Sequence, residues 1–205
     1  MTDTPDSSRG DATRARLLDA AVNAFAEKGF HGTTTRDIAA GAGVSPAALY
    51  VHHRSKEEML YLISRDGHAE TLALINQGVA HTDGCTETLR RVVHEFAAQH
   101  ARGHTIARII NYEVAALTPE HMSEIAALRR DIQSVMRRLI SRGVEANEFD
   151  VMDVDLTAAA ILSMGIDLAR WYTEGGRWTP EQIGDHYAEF ALRIVGAERT
   201  GPARD

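Results

Sequence analysis

The sequence predicts an all-α fold of about nine helices. Three observations lead to this prediction: apolar residues recur every three or four positions along most of the chain, convincing strand-like alternation is missing, and helix start signals are frequent. The 44% of hydrophobic and 25% of charged residues are ordinary for a globular protein, which excludes a fibrous or wholly disordered chain. The longest apolar stretch, 156–168, is short and contains Asp167, so neither a transmembrane helix nor a membrane partner is predicted.

The first helix follows a polar N-terminal segment. Residues 1–10 lack a hydrophobic period, so we expect a disordered tail there. The helix is predicted over 12–29, with Gly29 placed to end it. Its apolar face consists of Leu17, Leu18, Ala21, Val22 and Phe25.

Cap residues and prolines mark the other helix starts. Capping-box spacing, in which two side chains satisfy free amides reciprocally, occurs at Thr34 and Asp37, at Ser55 and Glu58, and at Thr179 and Gln182. Proline occupies a first helical position in Ser45-Pro46, Thr118-Pro119 and Thr179-Pro180. With Gly143 and Gly175-Gly176 as stop signals, these residues predict helices over 35–42, 46–52, 55–79, 85–101, 104–116, 119–143, 153–174 and 179–196.

The two short helices, 35–42 and 46–52, predict a helix-turn-helix. Each has about two turns, and a tight turn containing Gly43 joins them. The expected apolar wedge between them consists of Ile38, Ala39, Val44 and Leu49, closed from the first helix by Phe25 and Phe30.

The stretch from Thr33 to Leu60 resembles the N-terminal domain of tetracycline-repressor (TetR) family transcription regulators. The resemblance rests on Phe25, Gly29-Phe30, the threonine run, Asp-Ile-Ala, Ala-Gly-Val-Ser, Leu-Tyr-x-His and Ser-Lys-Glu. The remaining residues resemble the family only in size and helical layout. Two positions depart from the pattern: Ala47 stands where the family often has Gly, and His53 where it commonly has Phe. Alanine suits a helix, whereas His53 leaves the local packing open.

The resemblance implies a helix-turn-helix DNA-binding domain over 11–54 and a ligand-binding and dimerisation domain over 55–205, linked by the helix at 55–79. Residues 46–52 would form the recognition helix in the major groove. The DNA-binding residues expected are Thr35, Arg36, Ser45, Pro46, Ala48, Tyr50, Val51, His52 and Lys56.

These residue types suit different parts of the duplex. Ala48 and Val51 can contact thymine methyl groups, and Arg36 is the candidate guanine reader. The resemblance makes Tyr50, His52 and Lys56 backbone anchors, with Ser45 and Thr35 able to bond phosphates. A half-buried core role for Tyr50 remains an alternative.

The charge balance argues against a surface covered with DNA-binding charge. The net charge is −7, and residues 1–60 hold 7 basic and 8 acidic side chains. Contact with DNA would therefore have to be local.

The predicted helices at 153–174 and 179–196, the eighth and ninth, suggest a homodimer. The helix at 153–174 is apolar on more than one side, which a central core position explains equally well. The resemblance favours pairing of both helices with their copies in a two-fold four-helix bundle. Such a dimer would present two recognition helices to a pseudo-palindromic operator, and an effector that favours the DNA-incompetent state would release it.

The effector is predicted to be small and hydrophobic. Its cavity could be lined by apolar residues that suit a core equally well, namely Phe96, Ile109, Ile110, Met136, Leu139, Met164 and Trp171. Residues 167–180 resemble a region of actinobacterial repressors of lipid or steroid catabolism, some of which respond to acyl-CoA thioesters. Arg170 and Arg177 could contact the phosphates of such a ligand or could be surface charges.

No metal, cofactor or catalytic function is predicted. His100 and His104 lie four residues apart, but Gly103 intervenes, and the chain has one cysteine, Cys85. Catalytic and nucleotide-binding motifs are missing, so an enzyme is not expected. The single cysteine and the polar N-terminus favour the cytoplasm. The alternative function is a helical small-molecule-binding or interaction protein that does not bind DNA.

Overall fold

A computed structural model describes residues 5–80 and 84–197. Those residues form nine α-helices, one 3₁₀ turn and no strand, which confirms the all-α prediction. The helices are α1 (Pro5–Gly32), α2 (Thr35–Gly41), α3 (Pro46–His52), α4 (Lys56–Val79), α5 (Cys85–Arg102), α6 (His104–Tyr112), α7 (Pro119–Glu145), α8 (Val154–Trp171) and α9 (Pro180–Ile194). None of these helices combines the length and the hydropathy that a bilayer-spanning segment requires.

The described residues divide into two compact units. Unit 1 comprises the residues up to His68 together with Thr105–Ala126, and unit 2 comprises Ala69–His104 together with the residues from Ala127 onward. The division therefore differs from the predicted boundary at 54/55, because the first half of α4 packs with α6 and α7. A side chain at Gly67 of α4 would come within 2.8 Å of Ile110 Cδ1 of α6, so close packing requires glycine there.

The start of the first helix differs from its prediction. α1 begins at Pro5, so residues 5–10 are helical rather than part of a disordered tail, while residues 1–4 lie outside the described part of the chain. Once a helix has nucleated, each added residue gains one backbone hydrogen bond, whether or not it has an apolar face. Hydrophobic periodicity therefore does not predict such an extension. Gly29 interrupts α1 with a φ of 69°, and one further turn leads to Gly32.

Three other helix ends also differ. The segment predicted over 104–116 is divided into α6 and a 3₁₀ turn at Val114–Ala116. α7 continues past Gly143, where a Cβ would lie 2.0 Å from the Phe149 ring, so this glycine makes room for an aromatic side chain and does not stop the helix. α8 ends at Trp171, before the glycine pair, because Tyr172 is already extended.

The predicted capping devices are present in most details. The reciprocal boxes at Thr34 and Thr179 are both formed. Ser55 Oγ accepts a hydrogen bond from Glu58 N (3.0 Å), but the Glu58 carboxylate accepts from Arg54 N one residue before the expected donor. The local start signals therefore fix where α2, α4 and α9 begin.

Each unit has its own core. In unit 1, the predicted wedge is confirmed for Ile38, Ala39 and Leu49, which are all fully buried, and the rings of Phe25 and Phe30 lie 5.5 Å apart beneath them. In unit 2, α5 packs against α8 and α9. The core of unit 2 consists mainly of aliphatic and aromatic side chains such as Leu89, Val92, Phe96, Met136, Leu139, Ile140 and Ile161.

Glu148, in the segment between α7 and α8, caps α5 from outside that helix. Its carboxylate accepts hydrogen bonds from Thr86 N (2.7 Å), Cys85 N (3.0 Å) and Thr86 Oγ1 (2.9 Å). The residue before α5 is Gly84, which has no side chain to perform this task. The amides of Thr86 and Cys85 lower the pKa of the Glu148 carboxyl below its ordinary value, as expected for an anion at a helix N-terminus.

We expect Glu148→Ala to lower the free energy of unfolding by about 1 kcal/mol, the typical worth of an N-cap. The midpoint of thermal unfolding should fall by about 2–4 °C in a chain of this size. Because the folded-state pKa is lowered, the contribution is complete above the unfolded value near 4.5 and is lost as the pH falls below it. Thermal unfolding of both proteins at neutral pH and at acid pH tests this; a difference that persists unchanged in acid would contradict the role of the carboxylate.

Candidate nucleic-acid interface

The first helix of the predicted helix-turn-helix is fixed by charge as well as by its cap. Thr34 N donates to Asp37 Oδ2 (2.8 Å), and Asp37 N donates to Thr34 Oγ1 (3.2 Å). Lys28 of α1 lies 2.8 Å from Asp37 Oδ1. The bonds from Lys28 and Thr34 lower the pKa of the Asp37 carboxyl well below its usual range. The start of α2 is thus held to α1.

The turn between α2 and α3 depends on one glycine. Gly43 has a φ of 68°, in the left-handed region that favours glycine. Val44 N donates back to Ala39 O (3.0 Å) and closes the turn. Ser45 Oγ then accepts from Ala48 N (3.1 Å), so α3 begins at Pro46 as predicted.

One face of α3 is open to solvent. Val51 is 79% exposed and Tyr50 is 55% exposed, while Pro46 and Ala47 are exposed beside them. The hydroxyl of Tyr50 lies 3.1 Å from Thr35 Oγ1 at the start of α2. A core role for Tyr50 is therefore wrong. We name Pro46, Ala47, Tyr50 and Val51 of α3, together with the half-buried Thr35 at the start of α2, the recognition face.

The other predicted DNA-binding residues vary in accessibility. Arg36 is exposed, whereas Ala48 and His52 are half-buried. Ser45 is exposed, but its hydroxyl already accepts the capping hydrogen bond. Ala47 was missing from the predicted contact set, although its position four residues before Val51 on a helix indicates the same face.

Lys56 has a structural task that sequence reasoning missed. Its ammonium donates to Phe30 O and Thr33 O, both at 2.7 Å, and lies 4.4 Å from the centre of the Phe30 ring. Two of its three donors therefore hold the first turn of α4 to the end of α1. The free carbonyls that follow a helix were the available signal, since they attract cations.

His53 is buried where the family commonly has Phe. It is 2% exposed, and its Nε2 has no hydrogen-bond partner among the described residues. Burial lowers the pKa of His53 from 6.5, and a backbone hydrogen bond with Arg14 and the charge of Glu58 only partly oppose this effect. The neutral ring is thus the form that unit 1 accommodates.

We expect His53→Phe to raise the midpoint of thermal unfolding mainly in acid. At neutral pH the midpoint should change by no more than about 2 °C, because the loss of the backbone hydrogen bond with Arg14 offsets the removal of the unpaired Nε2. In the wild type, stability is complete above the unfolded pKa of 6.5 and falls as the pH drops below it, because only the unfolded chain readily takes up the proton. The advantage of the variant should therefore grow between pH 7 and about pH 5. A variant that loses stability in acid as steeply as the wild type would contradict this account.

The structure distributes the predicted ligand-binding residues over both units. Ile109 and Ile110 are buried in α6 of unit 1, whereas the core of unit 2 contains Phe96, Met136 and Leu139. Met164 is half-buried. Arg170 is exposed and lies 3.6 Å from Asp167. Trp171 lines an open, mainly apolar cavity of about 370 Å³ with Trp178, Ile183, His186, Tyr187 and Phe190.

The two histidines weighed as metal ligands bond to backbone carbonyls. His100 Nδ1 lies 2.9 Å from Phe96 O, and His104 Nδ1 lies 3.2 Å from Ala101 O. The first contact lies within α5, and the second spans the turn at Gly103 between α5 and α6. Burial lowers the pKa of His100. The described residues contain no group of three potential ligands.

Comparisons with known proteins match both parts of the chain. A family model described as bacterial regulatory proteins, tetR family, matches residues 17–61. A second, described as tetracyclin repressor-like, C-terminal domain, matches residues 82–195. The HTH-type transcriptional repressor KstR2 of Mycobacterium tuberculosis is 31% identical over 193 residues, which cover 92% of this chain and 95% of that protein.

Solved structures agree with these matches. A bacterial regulatory protein of the tetR family from Rhodococcus RHA1 is 38% identical, with a TM-score of 0.87 over 91% of this chain and 98% of that one. The TetR-family regulator PfmR of Thermus thermophilus is 33% identical, with a TM-score of 0.82 over 90% and 100% of the two chains. On these matches and on its helix-turn-helix, the chain belongs to the TetR family of bacterial transcription regulators.

Proposed function

We propose that this TetR-family regulator is a homodimeric repressor that binds a pseudo-palindromic operator and leaves it when a small hydrophobic effector binds. The recognition face carries the proposal, because an exposed helix held by a capped turn is what entry into a major groove requires. The protein would regulate transcription in the cytoplasm and would not catalyse a reaction.

The residue types on and beside the recognition face suggest how DNA is read. Ala47, Ala48 and Val51 offer methyl groups for contact with thymine, and Arg36 can donate to guanine. The hydroxyls of Tyr50 and Thr35 bond to each other, which leaves one of the two O–H groups to donate to a phosphate. Few side chains can form bidentate base contacts, so two half-sites are needed for adequate specificity.

The faces of α8 and α9 support a dimer through these two helices. Leu156 and Trp171 of α8 are 70% and 44% exposed, and Phe190 and Ile194 of α9 are 43% and 42% exposed. Large apolar side chains exposed along neighbouring helices are typical of a surface that a second copy covers. A two-fold axis through this surface would present two recognition faces to successive major grooves, about 34–36 Å apart.

An acyl-CoA thioester of a lipid or steroid acid is the effector class we propose. The structure of KstR2 of Mycobacterium tuberculosis, 28% identical to this chain, is described as that of a ketosteroid transcriptional regulator. AibR, which shares the fold at 24% identity, has been crystallised with isovaleryl coenzyme A and operator DNA. The resemblance of residues 167–180 to repressors of lipid or steroid catabolism supports the same class.

Mobility shifts on DNA flanking the protein's own gene test the function. At roughly 0.15 M salt, where exposed charges are well screened, we expect a complex that persists when unrelated DNA of equal length is added as a competitor. Acyl-CoAs of increasing chain length should dissolve this complex and raise the unfolding midpoint, whereas coenzyme A and free fatty acids serve as controls. If no sequence-preferring complex forms, the proposed repressor function is wrong. If acyl-CoAs neither dissociate the complex nor raise the unfolding midpoint, the proposed effector class is wrong.

A further inference from the structure

The first turn of α4 is a junction in unit 1. Three consecutive side chains there bind three different parts of the chain. Lys56 holds the end of α1, as described above. Glu58 accepts from Arg54 N in the turn after α3. Glu57 points to a third element, the start of α7.

Glu57 binds the N-terminus of α7. Its Oε1 accepts a hydrogen bond from Thr118 N (2.9 Å) and lies 2.8 Å from His121 Nδ1. Thr118 also caps α7, since its Oγ1 accepts from His121 N (3.3 Å). The side chains of Glu57 and His121 are only 19% and 25% exposed, so solvent screens their contact less than it screens a surface pair.

Tyr61 repeats the contact one turn further along α4. Its ring stacks on the His121 ring, with centroids 3.9 Å apart and planes within 8°. Its hydroxyl donates to Glu124 Oε2 (2.6 Å), one turn further along α7. Two turns of α4 therefore hold two turns of α7, and we name Glu57, Tyr61, Thr118, His121 and Glu124 the α4–α7 clamp.

We propose that the α4–α7 clamp positions the recognition face for operator binding, with Glu57 and His121 as its main positioning residues. The clamp fixes the first turn of α4, from which Lys56 and Glu58 bind the segments on either side of α2 and α3. α7 has residues in both units. A shift of α7 would therefore act on unit 1 through the first turns of that helix. The inference rests on the operator binding proposed above.

Operator affinities of clamp variants test the proposal. The probe is a duplex that the wild type selects from random-sequence DNA, and binding is followed by fluorescence anisotropy well below the unfolding midpoint. Glu57→Ala and His121→Ala should each weaken binding about tenfold, and the double variant should be no weaker than either, because the two residues share one interaction. His121→Asn keeps a donor near the position of Nδ1 and should recover most of the affinity. Tyr61→Phe keeps the stack and should weaken binding only about twofold.

Glu148→Ala is the matched control, because it removes a helix cap in unit 2 without touching the clamp. Its operator affinity should stay within about twofold of the wild type. If this control loses as much operator affinity as the clamp variants, general destabilisation explains the loss and the proposal is wrong. Unchanged affinity in Glu57→Ala and His121→Ala, or losses that simply add, would also overturn it. A wild type that selects no sequence would instead overturn the proposed function, and the role of the clamp with it.

Discussion

Replacing Val51 by Glu is expected to weaken operator binding by about 100-fold or more while the fold stays intact. Val51 is 79% exposed on α3, so the new side chain displaces no packed neighbour. Glutamate is also the better helix former. On the DNA side, the change removes a methyl contact and places a carboxylate close to phosphates, where like charges in contact cost several kcal/mol. Binding to the wild-type operator, with circular dichroism as a check of the helices, measures the effect.

The control must carry the same change in net charge. Met152 lies before α8 in unit 2 and is fully exposed, so Met152→Glu adds the same charge without altering the recognition face. We expect its operator affinity to stay within about threefold of the wild type, because distant exposed charges are screened. If Val51→Glu binds as tightly as this control, α3 does not enter the groove.

Local signals in the sequence were sufficient to predict most helices. Thr34, Ser45 and Thr179 each accept a hydrogen bond from the amide three residues later, so the printed sequence contains all the information that the cap needs. The position of α3, and with it the recognition face, follows from Ser45 and Pro46. The all-α fold and the position of α3 were therefore predictable without knowledge of tertiary contacts.

Contacts between distant segments were not predictable in the same way. Lys56 looks like a surface lysine in the sequence, and its partners lie 23 and 26 residues earlier. Gly143 looks like a helix stop, although its function is to admit Phe149. Glu57 and His121 are 64 residues apart. Neither periodicity nor capping rules contain information about which helices meet.

The predicted ligand-binding residues rest on a sequence pattern that has two structural meanings. An apolar side chain that lines a cavity and one that fills a core give the same helical spacing. Phe96, Met136 and Leu139 satisfied the pattern and lie in the core of unit 2. Trp171 satisfied it and lines an open cavity. Only the packing distinguishes these two cases.

Replacing Phe190 by Asp is expected to weaken the dimer by about 100-fold or more, as truncation of aromatic anchors at interfaces commonly does. Phe190 is 43% exposed on α9, and part of its ring packs against Tyr187 with centroids 5.9 Å apart. A buried carboxylate without a partner is unfavourable at an apolar interface. Sedimentation analysis should find a monomer at micromolar concentration. Val144→Asp, at a 36% exposed apolar site at the end of α7, should remain dimeric.

Comparison of Val51→Glu with Phe190→Asp should separate DNA recognition from dimerisation. A single half-site needs one recognition face, so Phe190→Asp should bind a half-site duplex as weakly as the wild type does, and should lose only the gain from linking two half-sites. Val51→Glu should stay dimeric and bind neither duplex. A Phe190→Asp protein that stays dimeric and binds the full operator normally would show that α9 does not form the interface. The second copy would then have to cover another surface, and the exposed apolar residues of α8 and α9 would need a different partner.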